Sequence, residues 1–350
     1  LTYAAPDAES PGRGGDVGLR AVSSVNPGPG DPDAWARAPW HDLVRTGRGE
    51  VLLYGLTPPR QTTAPEDVAR LAQVTLERLA AIDVDCLVVY DLDDESDRTE
   101  VERPFVYSPT IDPSAFLDHL GDWAGPTILY RSVGKYDPAE LDEWLRAEER
   151  DVSTVFVGAS SREKDVLTTL PQAHAAWRRA ERETRSRGIP QRSIPLGAVA
   201  IPERHQQRGD EHLRMLAKQE SGCAFFITQV VYNVTDAKDL VSDYWYACAE
   251  RDVRPAPVIF TLSVCGSQRT LDFLEWLGVD VPRWLANELI HATDPIVESV
   301  DACLDTATEL ATFCRRIGLP FGFNVESVST RKVENEATIE LARKIRRLLA

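Results

Sequence analysis

From Glu50 onward, short apolar and β-branched runs alternate with stretches whose apolar positions recur every three or four residues. The runs predict strands over 50–56, 85–91, 126–132, 153–158, 195–201, 223–231, 257–263 and 321–327. The amphipathic stretches predict helices over 65–81, 138–149, 166–187, 209–221, 236–251, 268–276, 298–316 and 333–349. Segments such as DCLVVYD and CAFFITQVV are apolar almost throughout. That pattern means burial on both faces, hence a parallel sheet covered by helices. Eight β/α units in about 300 residues point to a (β/α)8 TIM barrel. An open doubly wound sheet would carry a Gly-rich turn after its first strand. Here VLLYG runs instead into LTPPR, where Pro58 and Pro59 cannot continue a ladder.

Residues 1–45 break the pattern. ESPGRGGD and NPGPGDPD are linker-like, and GRGG has neither the preceding strand nor the following helix of a phosphate loop. The reading is a flexible N-terminal extension, 1–45, followed by a barrel domain, 46–350. Trp35 and Trp40 in AWARAPWHDLV could dock the extension onto the barrel mouth.

Composition narrows the classes. Net charge is 39 − 55 = −16, which argues against a nucleic-acid partner. The basic runs at 178–187 and 343–347 lie on helical patterns and read as solvated faces. No apolar run has the length of a bilayer span and no signal segment is visible, so a soluble, cytoplasmic protein with no membrane partner is expected. The six cysteines form no C-x-x-C pair and sit in apolar surroundings, which predicts buried free thiols and neither a disulfide framework nor a zinc site. His205 and His212 are seven apart on different elements, so no metal site is expected from histidine spacing. Both a monomer and a homo-oligomer remain open.

A barrel places its chemistry at the C-terminal ends of its strands. The residues there are Gly55 and Thr57, Asp91, Asp93, Asp94 and Glu95, Tyr130 and Arg131, Gly158 to Ser161, Glu203 to His205, Gln229, Ser263 and Cys265, and Glu326 and Ser327. The acidic run DLDDESD could hold Mg²⁺ or be a solvated loop. In GDEHLRMLAKQE, Glu211, Arg214 and Lys218 share a helix face. They form either an ion-pair ladder or a face turned to a phosphorylated cofactor. Gln229 sits in the apolar FFITQVV, either as a satisfied core amide or as a reader of a planar heterocycle such as a pterin.

IPERH followed by GDEHLRMLAKQESGCAFFITQVVYN resembles the methylenetetrahydrofolate reductase family. TPPR after the first strand, VPRWLA at 281–286 and FNVES near the end are similar to further segments of it. The resemblance spans about residues 50–345 and is strong over 195–233. It implies a (β/α)8 barrel with FAD at the strand ends, NADH or NADPH as donor, and a tetrahydrofolate derivative as substrate. It further implies cofactor contacts from Gly158, His205, Glu211 and Lys218 and a substrate contact from Gln229, to which the helix face adds Arg214 as a cofactor contact and the first strand end adds Thr57 as a substrate contact.

The chain also departs from that pattern. Gly55 stands where the family has the glutamate that protonates the leaving nitrogen. Val157 and Ala159 replace an arginine and an aspartate, Thr127 a histidine, and Ile201 a tyrosine. Gly55 also has a bland reading, close packing against a bulky neighbour. A relocated acid is expected at Glu326 or Glu203, with Asp91 a further candidate, because burial raises a carboxyl pKa toward the range an acid needs. Glu326 could equally be an ion-pair partner of Arg131. The functional expectations are therefore a reductase of this family, with or without flavin, a folate-dependent one-carbon enzyme with another reaction, or a non-catalytic folate binder.

Overall fold

The computed structural model describes residues 37–96, 99–159, 164–188 and 193–350. Its strands are β1 (Glu50–Leu56), β2 (Cys86–Val89), β3 (Thr127–Ser132), β4 (Val152–Val157), β5 (Leu196–Ala200), β6 (Phe225–Val230), β7 (Val258–Ser263) and β8 (Phe321–Glu326). They pair in chain order, all parallel, and β8 returns to β1, which closes a (β/α)8 barrel. The helices are α1 (Trp40–Thr46), α2 (Pro65–Leu79), α3 (Pro113–His119), α4 (Pro138–Ala147), α5 (Leu170–Ser186), α6 (Pro202–Arg208), α7 (Glu211–Glu220), α8 (Val234–Glu250), α9 (Gln268–Trp276), α10 (Arg283–His291), α11 (Pro295–Ile317) and α12 (Lys332–Leu348).

The two-residue period of each strand sorts its apolar side chains into two cores. Val51, Leu53, Cys86, Val88, Ile128, Val155, Phe225, Ile227 and Ile259 fill the barrel interior. Leu52, Leu87, Leu129, Phe226, Phe260 and Phe323 pack outward under the helices. Burying one such side chain stabilises the fold by about 1.5–3 kcal/mol. Local signals set the helix ends. At α11, Asp294 accepts from the Ile296 and Val297 amides, Pro295 opens the helix, and Gly318 closes it at φ 77°, where a side chain would be strained.

The floor of the barrel departs from expectation. Trp40 of α1 is fully buried, edge-on to Phe225 at 4.8 Å, and its Nε1 donates to Ser153 Oγ at 3.1 Å. Ser153 and Phe225 lie at the starts of their strands, so α1 plugs the end opposite the mouth. The expected boundary at residue 46 thus falls at the end of a packed helix. Residues 1–36, including Trp35, lie outside the described residues. No described helix is long and apolar enough to cross a membrane.

Four short helices escaped the sequence pattern: α1, α3, α6 and α10. The segment Pro202–Arg208, expected as a loop, is α6, because Pro202 starts it and Gly209, at φ 70°, stops it. All six cysteines are buried and unpaired.

Candidate active site

The strands that turn Val51, Leu53, Val88 and Ile259 into the barrel carry the same alternation up to the mouth. There it sets Gly55, Tyr90, Thr261, Asn324 and Glu326 on the inner face. Tyr90 and Tyr130 lie ring against ring, 4.7 Å between centroids. Asn324 Nδ2 donates to Tyr90 Oη at 2.8 Å and to Glu326 Oε2 at 3.2 Å, with Thr261 Oγ1 at 3.4 Å. Tyr90 also hydrogen-bonds the Glu326 carboxyl. Burial pushes Glu326 up to about 7, against the lowering effect of those two bonds. It is therefore a carboxyl poised to hold or release a proton at neutral pH.

Gly55 belongs to the same cluster. A Cβ there would lie 2.9 Å from Glu326 Cβ, 3.0 Å from Tyr90 Cε2 and 3.1 Å from Asn324 Oδ1. The bulky neighbour that excludes a side chain from Gly55 is thus the proposed acid together with its two partners. Glu326 has no role as an Arg131 partner. Arg131 points away from the interior, pairs with Asp112, and stacks 4.3 Å from the Trp144 ring.

Tyr90 and Asn324 were not singled out in the sequence. Asn324 carries the signal that drew attention to Gln229, a polar amide inside an apolar strand. Tyr90 reads there as one more strand aromatic.

A strap brackets this sector. The segment after β2 reaches the helix that follows β7. Trp276 Nε1 donates to the Val101 carbonyl at 2.9 Å, Arg269 Nε to that of Pro104 at 2.9 Å, and Phe105 packs on Phe273 at 5.1 Å. In the barrel order, β1 and β8 stand between its two ends.

The β5–β6 side is organised differently. Glu211 is fully buried and faces Arg204 at 3.1 Å and Lys218 at 3.7 Å. Lys218 Nζ donates to the Val199 carbonyl at 2.7 Å. Burial holds the Lys218 ammonium below its usual range. Arg214 is exposed and pairs with Asp210 at 3.2 Å. The expected ladder forms only in part, because Arg214 turns to Asp210 and Arg204 takes its place beside Glu211. Arg204 and Lys218 both spend their charge on the buried Glu211 carboxylate. His205, expected at the flavin, turns outward between helices and meets Asp243 at 3.1 Å and the His212 ring at 5.1 Å. Gly158 has Leu170 no nearer than 3.8 Å to an added Cβ, so packing does not demand glycine there. This donor set does not fit the FAD arm that the family resemblance implies.

Glu203 sits in the first turn of α6, buried, and is pushed up to about 7 by burial and by Asp236 and Asp280. Its Oε1 accepts from the Asp280 amide at 3.3 Å, and its Oε2 is buried without a partner. Gln229 Nε2 donates to the Leu277 carbonyl at 2.8 Å. Both side chains therefore grip the segment 277–280. Thr57 is exposed, one residue beyond β1.

Asp91 is committed to the Ser132 amide at 2.8 Å, Tyr136 Oη at 2.8 Å and the Lys135 ammonium. Lys164 takes Asp93 at 2.8 Å, so two ammonium groups already serve the acidic run that could hold Mg²⁺ or be a solvated loop. Thr127 opens β3 at the closed end, away from the mouth. Ser160 and Ser161 lie outside the described residues.

No family model matches the chain, and no curated protein matches it. Among solved structures, Xanthomonas albilineans dihydropteroate synthase (11% identity, 84% of this chain and 90% of that one, TM-score 0.39) is too distant to carry an argument. The same holds for an archaeal fructose 1,6-bisphosphate aldolase (9% identity, 88% and 98%, TM-score 0.43). A far stronger likeness is to an uncharacterized protein from Clostridium thermocellum that binds two copies of 5-methyl-5,6,7,8-tetrahydrofolic acid. Identity is 39%, over 88% of this chain and 98% of that one, with a TM-score of 0.75. At that identity over nearly the whole length of the relative, the chain belongs to the same family as the Clostridium thermocellum protein.

Proposed function

We propose that the chain binds a reduced folate at the barrel mouth and reduces 5,10-methylenetetrahydrofolate to 5-methyltetrahydrofolate, with hydride from a nicotinamide donor and without flavin. The observation that carries this is the Glu326 carboxyl, protonated near neutral pH and seated in the space that Gly55 leaves. The resemblance calls for an acid at the Gly55 position, and the adjacent strand offers one in that volume. The ligand of the Clostridium thermocellum relative has the product form of this reaction, which supports a reduced folate here. The self-neutralised Arg204–Glu211–Lys218 set favours the flavin-free version.

NADH or NADPH would supply the hydride. It adds to the methylene carbon, the bond from that carbon to N10 breaks, and N10 takes one proton. Glu326 delivers that proton and recovers it from solvent. Tyr90 and Asn324 hold the carboxyl in place, and positioning of this kind is what general acid catalysis requires. Gln229 and Glu203, by holding 277–280, would shape the opposite wall for the pterin.

The test uses untagged protein under anaerobic conditions, with each nicotinamide donor and methylenetetrahydrofolate in turn. Methyltetrahydrofolate should form as the donor is oxidised, with no flavin in the protein spectrum and no gain from added FAD. Turnover only after FAD is added would sink the flavin-free reading. Tight methyltetrahydrofolate binding without turnover by either donor would leave a folate-binding protein.

A further inference from the structure

Three side chains on three helices meet on the outer side of the barrel. His205 from α6, His212 from α7 and Asp243 from α8 each offer a ligand atom, and these atoms lie within 4.8 Å of one another. We propose that His205, His212 and Asp243 bind a divalent transition-metal ion of the zinc class, and that this ion staples α6 to α7 and α8. The inference does not rest on the folate reading, since the cluster lies outside the mouth.

The chemistry fits. Two imidazoles and one carboxylate are borderline ligands suited to Zn²⁺, and three protein ligands leave a fourth position for water. Around a tetrahedral zinc, ligand atoms stand about 3.3–3.4 Å apart, given metal–ligand bonds of about 2.0–2.1 Å. His205 Nε2 and Asp243 Oδ2 are already at 3.1 Å. The remaining separation is closed by His212, half-buried, and by Asp243, exposed, so neither movement disturbs the core. His205 is the fixed member, buried beneath them.

The polar accounting points the same way. The Nδ1 atom of His212 is buried without a hydrogen-bond partner, an arrangement that calls for an explanation in a native interior. Asp210, on the segment between the two histidines, also has a buried, unpartnered Oδ1. The buried thiols do not compete, because all six cysteines are enclosed.

Position gives the ion its consequence. α6 carries Glu203 in its first turn, two residues before His205. Fixing His205 to α7 and α8 would therefore also fix the carboxyl that holds the Asp280 amide.

The test is calorimetric titration of ZnCl2 into full-length, untagged, chelator-treated protein, with Co²⁺ absorption as a second readout. One equivalent should bind, Co²⁺ should give visible d–d bands of a four-coordinate site, and Zn²⁺ should raise Tm as any ligand selective for the native state does. His212→Ala and Asp243→Asn should each weaken binding at least tenfold while leaving the metal-free Tm unchanged, since Asp243 is exposed and His212 is only partly buried. No stoichiometric binding to the unaltered protein would overturn the proposal. So would affinity that both variants retain, which would put the metal elsewhere.

Discussion

The two sides of the barrel mouth handle charge in opposite ways. On the β8–β1–β2 side, one carboxyl faces two neutral hydrogen-bonding side chains and, among the described residues, no cation, and its pKa climbs to about 7. On the β5–β6 side, a buried carboxylate is compensated by Arg204 and Lys218. Both sides bury a glutamate. What differs is the partner. A neutral partner leaves the proton negotiable, whereas a cationic partner fixes the charge and makes the group structural. The longest family-like motif lies on the second side, while the chemistry we assign lies on the first.

The sharpest way to break this contrast is Glu326→Gln. If the carboxyl is the acid, turnover falls about 100- to 10,000-fold, the usual range for a positioned acid, while methyltetrahydrofolate binding stays within a few-fold. Steady-state rates and a folate titration check this, and full activity would end the assignment. Glu211→Gln should act on the fold instead. Leaving two cations without their buried carboxylate costs about 3–5 kcal/mol, read as a lower denaturation midpoint. An unchanged midpoint would mean the triad is not structural.

Gly55→Ala comes next. Its methyl collides with Glu326, Tyr90 and Asn324, so a loss of about 1–3 kcal/mol in stability is expected, with turnover reduced because the acid is displaced. A variant as stable and active as the parent would mean the cluster yields easily. The pH dependence follows from Glu326 and Glu203, both raised to about 7. The folded protein then holds more protons than the unfolded chain between about pH 4.5 and 7. Their contribution to stability is complete below that window and is lost as pH rises through about 7. Denaturation midpoints across this window should fall with pH, and less steeply in Glu203→Gln. The smallest effect belongs to Arg214→Ala. An exposed arginine paired with Asp210 should change stability by less than about 1 kcal/mol and leave turnover intact. A large loss of turnover would revive the phosphate-binding face.

The comparison also separates what a sequence can carry from what it cannot. The barrel was legible because eight apolar runs and the helices between them are long, periodic and mutually consistent. The short helices were not, since α1, α3 and α6 span seven residues each and offer under two full periods to read. Glu326 and Glu203 were legible as carboxyls in apolar surroundings. Their partners were not. Tyr90 and Asn324 are far apart along the chain and meet only once β8 pairs with β1, and Arg131 looks identical in sequence whether it faces in or out. Helical spacing put Glu211, Arg214 and Lys218 on one face, but Arg204, which draws Glu211 into an ion pair, comes from a helix read as a loop.

Trp40 bears on how the barrel is made. It is among the earliest residues of the packed structure, yet its hydrogen-bond partner Ser153 lies 113 positions later and its ring partner Phe225 later still. Glu50, at the start of the first strand, waits for Arg315, 265 positions on. During synthesis the floor therefore cannot form until β6 has left the ribosome, and β1 cannot neutralise its first residue until α11 has. Such long-range closure slows folding. An α1 that has emerged early must keep a tryptophan unsatisfied until β6 is made, so Trp40 fluorescence should report a late stage of assembly, not the first.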